Sequence, residues 1–165
     1  MDLSKVPGNE LMQNVNDHLD VLLGGAMAEL KECRRPLVLT IINETDQLIT
    51  YKGFWANSGD MRKCLDSEIL PNTAIGLSFS EKEGSIFTGV SGEASFELEN
   101  GEKFSIGLSN PNVGTWKGLV LWGSSCGHEA YNQMRRHDNQ TEPNFKTAWD
   151  TTVNPPTYTV LIRKP

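Results

Sequence analysis

The chain has 165 residues, 38% hydrophobic and 22% charged, with a net charge of −6. That is enough for one domain with a core, and too apolar for disorder. The acidic balance argues against nucleic acid, which needs a basic surface, and against simple adsorption to anionic lipid. Against this background the cations come in pairs: Arg34-Arg35, Arg135-Arg136 and Arg163-Lys164.

Taken in order, residues 9–33 carry the spacing of a single amphipathic helix. Leu11, Val15, Leu19, Leu22, Leu23, Ala26, Met27 and Leu30 recur at steps of three and four, with Asn14, Asp17, Asp20 and Glu29 opposite. At about 1.5 Å per residue it would run roughly 36 Å, close to the thickness of a bilayer core. Its acidic residues rule out an ordinary hydrophobic span, so the apolar face serves either the protein's own core or a membrane. Gly24-Gly25 weakens such a helix by roughly 1–2 kcal/mol relative to alanine, and marks either a hinge or a close packing point.

Past Pro36 the period changes to two. Residues 37–42 and 48–55 read as strands around the turn cluster Asn43-Glu44-Thr45-Asp46. Residues 61–66 read as a charged connector and Leu70-Pro71-Asn72 as a turn. Strands are expected over 74–80, 86–91, 94–98 and 103–108, the last two joined through Asn100-Gly101 as a type I′ hairpin. A loop over 109–115, a strand over 116–122, a short helix over 128–137, a loop over 138–144 and a closing strand over 157–162 complete the pattern. Trp55 and Trp122 are expected in the core. Short strands spaced by turns predict a mainly β fold, a single β-sandwich domain over residues 1–165 with an amphipathic N-terminal helix.

Cys33, Cys64 and Cys126 are odd in number and lack CxxC or Cys/His ligand spacing, which predicts neither a disulfide scaffold nor a metal site. Cys126-Gly127-His128-Glu129 places a thiol beside a base, but no orienting group or Gly-rich elbow accompanies it, so no enzyme and no cofactor are expected. No apolar run is long enough to span a membrane and no h-region precedes the helix. Asn43 and Asn139 open glycosylation sequons.

Several segments, in order, resemble the actinoporins, the pore-forming cytolysins of sea anemones, and their relatives. They are the basic pair Arg34-Arg35, Ile42-Asn43-Glu44-Thr45, Phe54-Trp55-Ala56-Asn57-Ser58-Gly59, Leu70-Pro71-Asn72-Thr73, Phe87-Thr88-Gly89-Val90-Ser91-Gly92, and the spacing of Ser109, Pro111 and Trp116. The match runs from about residue 10 to about residue 122 and fades beyond Tyr131. It implies a β-sandwich flanked by two helices, the N-terminal one inserting into membranes through Leu11, Val15, Leu19, Leu22, Leu23, Ala26 and Leu30. It also implies a loop cluster that holds the phosphocholine headgroup of sphingomyelin.

By position, Ser58, Ser109, Pro111, Trp116 and Tyr131 match that cluster. Ser91 stands where the family usually has Val, Lys117 where it has Tyr, and Arg135-Arg136 where a tyrosine pair forms much of the choline cage. The family's Arg-Gly-Asp segment is replaced by Asn139-Gln140-Thr141-Glu142. A quaternary ammonium needs aromatic faces, whereas cations in their place suit a phosphate or sulfate headgroup gripped by Lys117, Arg135 and Arg136.

The resemblance thus implies a pore-forming, cytolysin-like protein that binds membrane headgroups and forms homo-oligomers on the target membrane. The alternative is a non-lytic glycan- or lipid-headgroup-binding lectin on the same sandwich, with Trp116 stacking a sugar. Secretion to a target membrane follows from the first reading, and a cytoplasmic location if Met1 is the native start.

Overall fold

The fold grows from the alternation that begins after Pro36. A computed structural model describes residues 15–64, 66–85, 88–111, 115–123, 127–136 and 144–163. Two five-stranded sheets face each other. One sheet has the order β3 (Asp60–Cys64), β5 (Thr73–Ser80), β1 (Leu37–Glu44), β10 (Thr157–Arg163), β9 (Phe145–Asp150). The second has the order β4 (Glu68–Ile69), β2 (Ile49–Ser58), β6 (Val90–Leu98), β7 (Lys103–Asn110), β8 (Lys117–Trp122).

Strand pleating decides what each face meets. In the first sheet Leu37, Leu39 and Ile41, with Leu77, Phe79, Tyr158 and Val160, point inward to meet Phe96, Phe104, Ile106 and Val120 of the second. Their neighbours Val38, Ile42, Ala74 and Leu161 point outward yet are also buried, under the N-terminal segment. This explains why residues 37–42 lack polar alternation: β1 and β10 form a parallel pair at the middle of a sheet covered on both faces.

The covering segment is not the single helix that the spacing predicts. Val15–His18 is a 3₁₀ turn, followed by α1 (Leu19–Leu22) and α2 (Met27–Lys31). Between them Gly24 and Gly25 adopt φ of +63° and +82°, which an α-helix cannot contain. The break allows Leu22 and Leu23 to dip together onto the sheet, where a Cβ at Gly76 would lie 3.1 Å from Leu23 Cδ2. Val15, Leu19, Leu22, Leu23, Ala26 and Leu30 all pack into this layer; Leu11 lies outside the described residues. No described helix is long and apolar enough to cross a membrane.

Other expectations change in instructive ways. The charged connector contains edge strand β3, where Arg62 stays exposed while Met61 and Cys64 pack against the core; charged edges are how sheets avoid pairing with strangers. The expected strands 86–91 and 94–98 give way to β6, continuous from Val90 (residues 86–87 lie outside the described set). Strand β9 replaces an unassigned stretch. At the hairpin only Gly101 has positive φ, at +89°, and its N–H donates to Leu98 O, so the turn is type I with a glycine bulge rather than type I′. Trp55 is 37% exposed on the outer face of the second sheet, not in the core, and Trp122 is half-buried at its margin. The C-terminal helix α3 (Glu129–Arg136) covers that outer face through Ala130, Tyr131 and Met134 on Leu119. The molecule is therefore a sandwich between two helical layers.

Candidate headgroup-binding cleft

Strand register places the site. Ser58 pairs with Ser91, Ser91 with Ser109, and Ser109 with Lys117, so four side chains scattered over 60 residues of sequence form one row across β2, β6, β7 and β8. The hydroxyls of Ser58 and Ser91 lie 3.2 Å apart. The next row on the same face runs Trp55, Glu93, Gly107, Leu119, and it seats α3. At Gly107 a Cβ would lie 2.8 Å from the Ala130 carbonyl oxygen, so only glycine lets the helix approach this closely.

Glu93, 1% exposed, anchors the start of the helix by accepting a hydrogen bond from the Tyr131 backbone N–H at 3.1 Å. A carboxylate suits the positive end of a helix. Burial nevertheless pushes the Glu93 carboxyl above its usual range, against the pull of the helix N–H groups and of His128. His128 Nδ1 lies 3.7 Å from Glu93 Oε2, too long for a hydrogen bond. Its ring is sandwiched flat against Trp55 at 3.8 Å, and its φ of +54° turns the chain into the helix.

With α3 so fixed, Tyr131, Met134 and Arg135 form the second wall of a cleft of about 270 Å³, opposite Ser91, Ser109 and Lys117. Pro111 and Thr115 close its rim. The Arg135 guanidinium sits 5.7 Å from the Tyr131 ring centroid, within cation–π range. Among the described residues the lining holds two cations, four hydroxyl-bearing side chains from Ser91, Ser109, Thr115 and Tyr131, and no carboxylate. Its donors are of the kind that hold phosphate or sulfate oxygens.

Of the nine positions singled out by the resemblance, six line this cleft: Ser91, Ser109, Pro111, Lys117, Tyr131 and Arg135. Ser58 stands behind Ser91. Arg136 is exposed on the helix and does not line it. Trp116 is half-buried, is not among the described lining residues, and its indole N–H has no acceptor among the described residues. Cys126 and His137 lie outside the described residues. Glu93 and Gly107, which position the helix, escaped sequence reasoning. The cue was present: Val90, Gly92, Ala94, Phe96 and Leu98 alternate without interruption with Ser91, Glu93, Ser95 and Glu97, so Glu93 belongs to a strand rather than a gap. Among the described residues no group of His, Cys, Asp and Glu could hold a metal ion.

No protein-family model matches the chain, and no curated protein matches its sequence. Solved structures do resemble it. The crystal structure of the lipid binding protein Nakanori superposes with a TM-score of 0.67 at 13% identity, over 98% of this chain and 90% of that one. The two proteins share a fold. Weaker likenesses are to IP-1A from Alcaligenes faecalis, at TM-score 0.48, 11% identity, 83% of this chain and 97% of that one. RahU protein, in complex with TRIS, gives 0.46 at 7% identity, over 79% and 97%.

Proposed function

We propose that this protein binds phosphate- or sulfate-bearing headgroups at a membrane surface through the cleft between the serine row and α3. The observation that carries this reading is the lining itself, which among the described residues includes Lys117 and Arg135 and no acid. A choline cage needs several open aromatic faces, whereas among the described lining residues Tyr131 is the one aromatic and already carries Arg135. The fold shared with a lipid binding protein supports a lipid partner in general.

The test is co-sedimentation with vesicles of phosphatidylcholine alone or doped with phosphatidylinositol phosphate, sulfatide or sphingomyelin. Binding should follow the anionic lipids and fall with added salt. Each charged hydrogen bond is worth about 1.5–3 kcal/mol, so Lys117→Ala and Arg135→Ala should each weaken it by about 10–100-fold. A preference for sphingomyelin over the anionic lipids refutes the anionic reading.

The reading extends to pore formation, as the actinoporin resemblance implies: docking, oligomerisation, then insertion of the N-terminal segment. What favours it is that this segment packs on the outer face of one sheet, on Val38, Ile42, Ala74 and Leu161, outside the core between the two sheets. Leu19, Leu22, Leu23 and Leu30 alone are worth roughly 6–12 kcal/mol of burial at about 1.5–3 kcal/mol each, which holds the segment down in water. A bilayer offers the same side chains an equivalent apolar surrounding. Dye release from vesicles that bind the protein tests this step; binding without leakage leaves a non-lytic headgroup-binding module.

A further inference from the structure

At the opposite end of the sandwich, where β6 and β8 finish and β7 begins, lies a second cleft of about 410 Å³. We propose that it is a saccharide site, on grounds independent of the headgroup reading. Its lining differs in kind from the first. Among the described residues its lining includes two acids, Asp46 and Glu102, and two bases, Lys103 and Arg163, so the carboxylates and cations balance. A cleft with no net charge has no preference for an anionic headgroup or a quaternary ammonium, each of which would meet two like charges. Hydroxyl groups need donors and acceptors together, and this rim supplies both.

Trp122 supplies the apolar wall of the cleft. Its ring packs edge-on to Phe104 at 5.8 Å and tilted on Phe145 at 4.7 Å, which fixes its plane. An aromatic face beside a few placed polar groups is what a sugar requires, since a pyranose has an apolar C–H face and a hydroxyl rim. The volume is within the range of small-ligand clefts.

The rim is also held in advance. The Asn100 backbone N–H donates to Gln47 Oε1 at 3.0 Å, and Asn100 Nδ2 donates to Glu102 Oε1 at 2.9 Å. Asn43, fully buried, donates from Nδ2 to the Gln47 carbonyl oxygen at 2.8 Å. With its amide oxygen engaged, Gln47 retains its NH₂ group to donate. Side chains already immobilised lose little entropy when a ligand arrives. A molecule docked by its first cleft would carry this second one at the other end of the strands, so one chain would join a lipid surface to a glycan.

The experiment is a two-dimensional amide NMR titration of the whole chain with glucose, galactose, mannose and N-acetylglucosamine. At least one sugar should move the Trp122 indole signal and the Gln47 and Asn144 side-chain amides saturably, with a midpoint of about 1–10 mM. Lys103→Ala and Asn144→Ala, both at exposed positions, should each weaken that binding about fivefold, as the loss of one hydrogen bond does. Arg135→Ala should leave it unchanged. The proposal is overturned if the Trp122 signal is still with all four sugars, if the shifts fall only around Lys117 and Tyr131, or if neither rim variant weakens them. Failure here leaves vesicle binding untouched, and the reverse also holds.

Discussion

Truncating Leu22 asks directly what the apolar face of the N-terminal segment does in solution. Leu22 is 2% exposed and its neighbour Leu23 1%; the Leu22 carbonyl would lie 3.2 Å from a Cβ placed on Gly76. Leu22→Ala removes three carbons from a layer that cannot collapse further without moving that backbone contact. Buried leucine truncations cost about 2–5 kcal/mol, and because one side of this layer is solvent we expect the lower half, about 2–3 kcal/mol. For a chain this size that lowers Tm by about 5–10 °C. Val21, next in sequence but 67% exposed, is the internal control: Val21→Ala should change stability by less than about 0.5 kcal/mol. Urea unfolding followed by far-UV circular dichroism measures both. If Leu22→Ala is as mild as Val21→Ala, the segment does not belong to the folded core in solution and its docking must be rejected.

Four further outcomes follow from the geometry around α3 and the sandwich. Glu93→Ala strips the Tyr131 N–H of its acceptor and should cost about 1–3 kcal/mol. Glu93→Gln keeps an acceptor and removes a buried charge. Since burial raises the Glu93 carboxyl in the folded state, its contribution to stability is complete below the unfolded carboxylate range and is lost as pH rises through the folded value. Thermal scans should therefore show Glu93→Gln above the wild type at pH 8, with the gap closing on acidification; a gap that widens contradicts the assignment. Gly107→Ala sets a methyl 2.8 Å from the Ala130 carbonyl oxygen, and should lower both Tm and vesicle affinity; a variant that binds and melts like the wild type would show that α3 is not seated there. Burial pushes the Tyr51 hydroxyl up to about 12, so an ultraviolet titration should show one tyrosine ionising only near that pH. Folding stability from this group is held below about pH 10 and lost as pH rises through that shifted value.

The contrast between what was legible and what was not follows range of interaction. The type of most strands was readable because pleating is local: Phe104, Ile106 and Leu108 alternate with Ser105, Gly107 and Ser109 whatever they meet. The turn at Asn100-Gly101 was readable as a turn, but its type was set by how the flanking strands pair. Edge strand β3 looked like a connector because an edge keeps one side in water and carries charge there. All nine candidate positions, six of which line the cleft, came from resemblance rather than from periodicity, since nothing in the local pattern of Ser91 or Ser109 distinguishes a ligand wall from a solvated face.

The sequence by itself determined that the chain is mainly β, that its first apolar face repeats at helical spacing, and that its cations come in adjacent pairs on an acidic background. All three are properties of neighbouring residues, and neighbours report on backbone geometry and composition. Only the tertiary structure decided that the helical face breaks at Gly24-Gly25 to lie on β1, β5 and β10. It alone brought Ser58, Ser91, Ser109 and Lys117 into one row. The reason is register: sheet pairing joins residues tens of positions apart, and a shift of one residue would turn every member of that row to the opposite face.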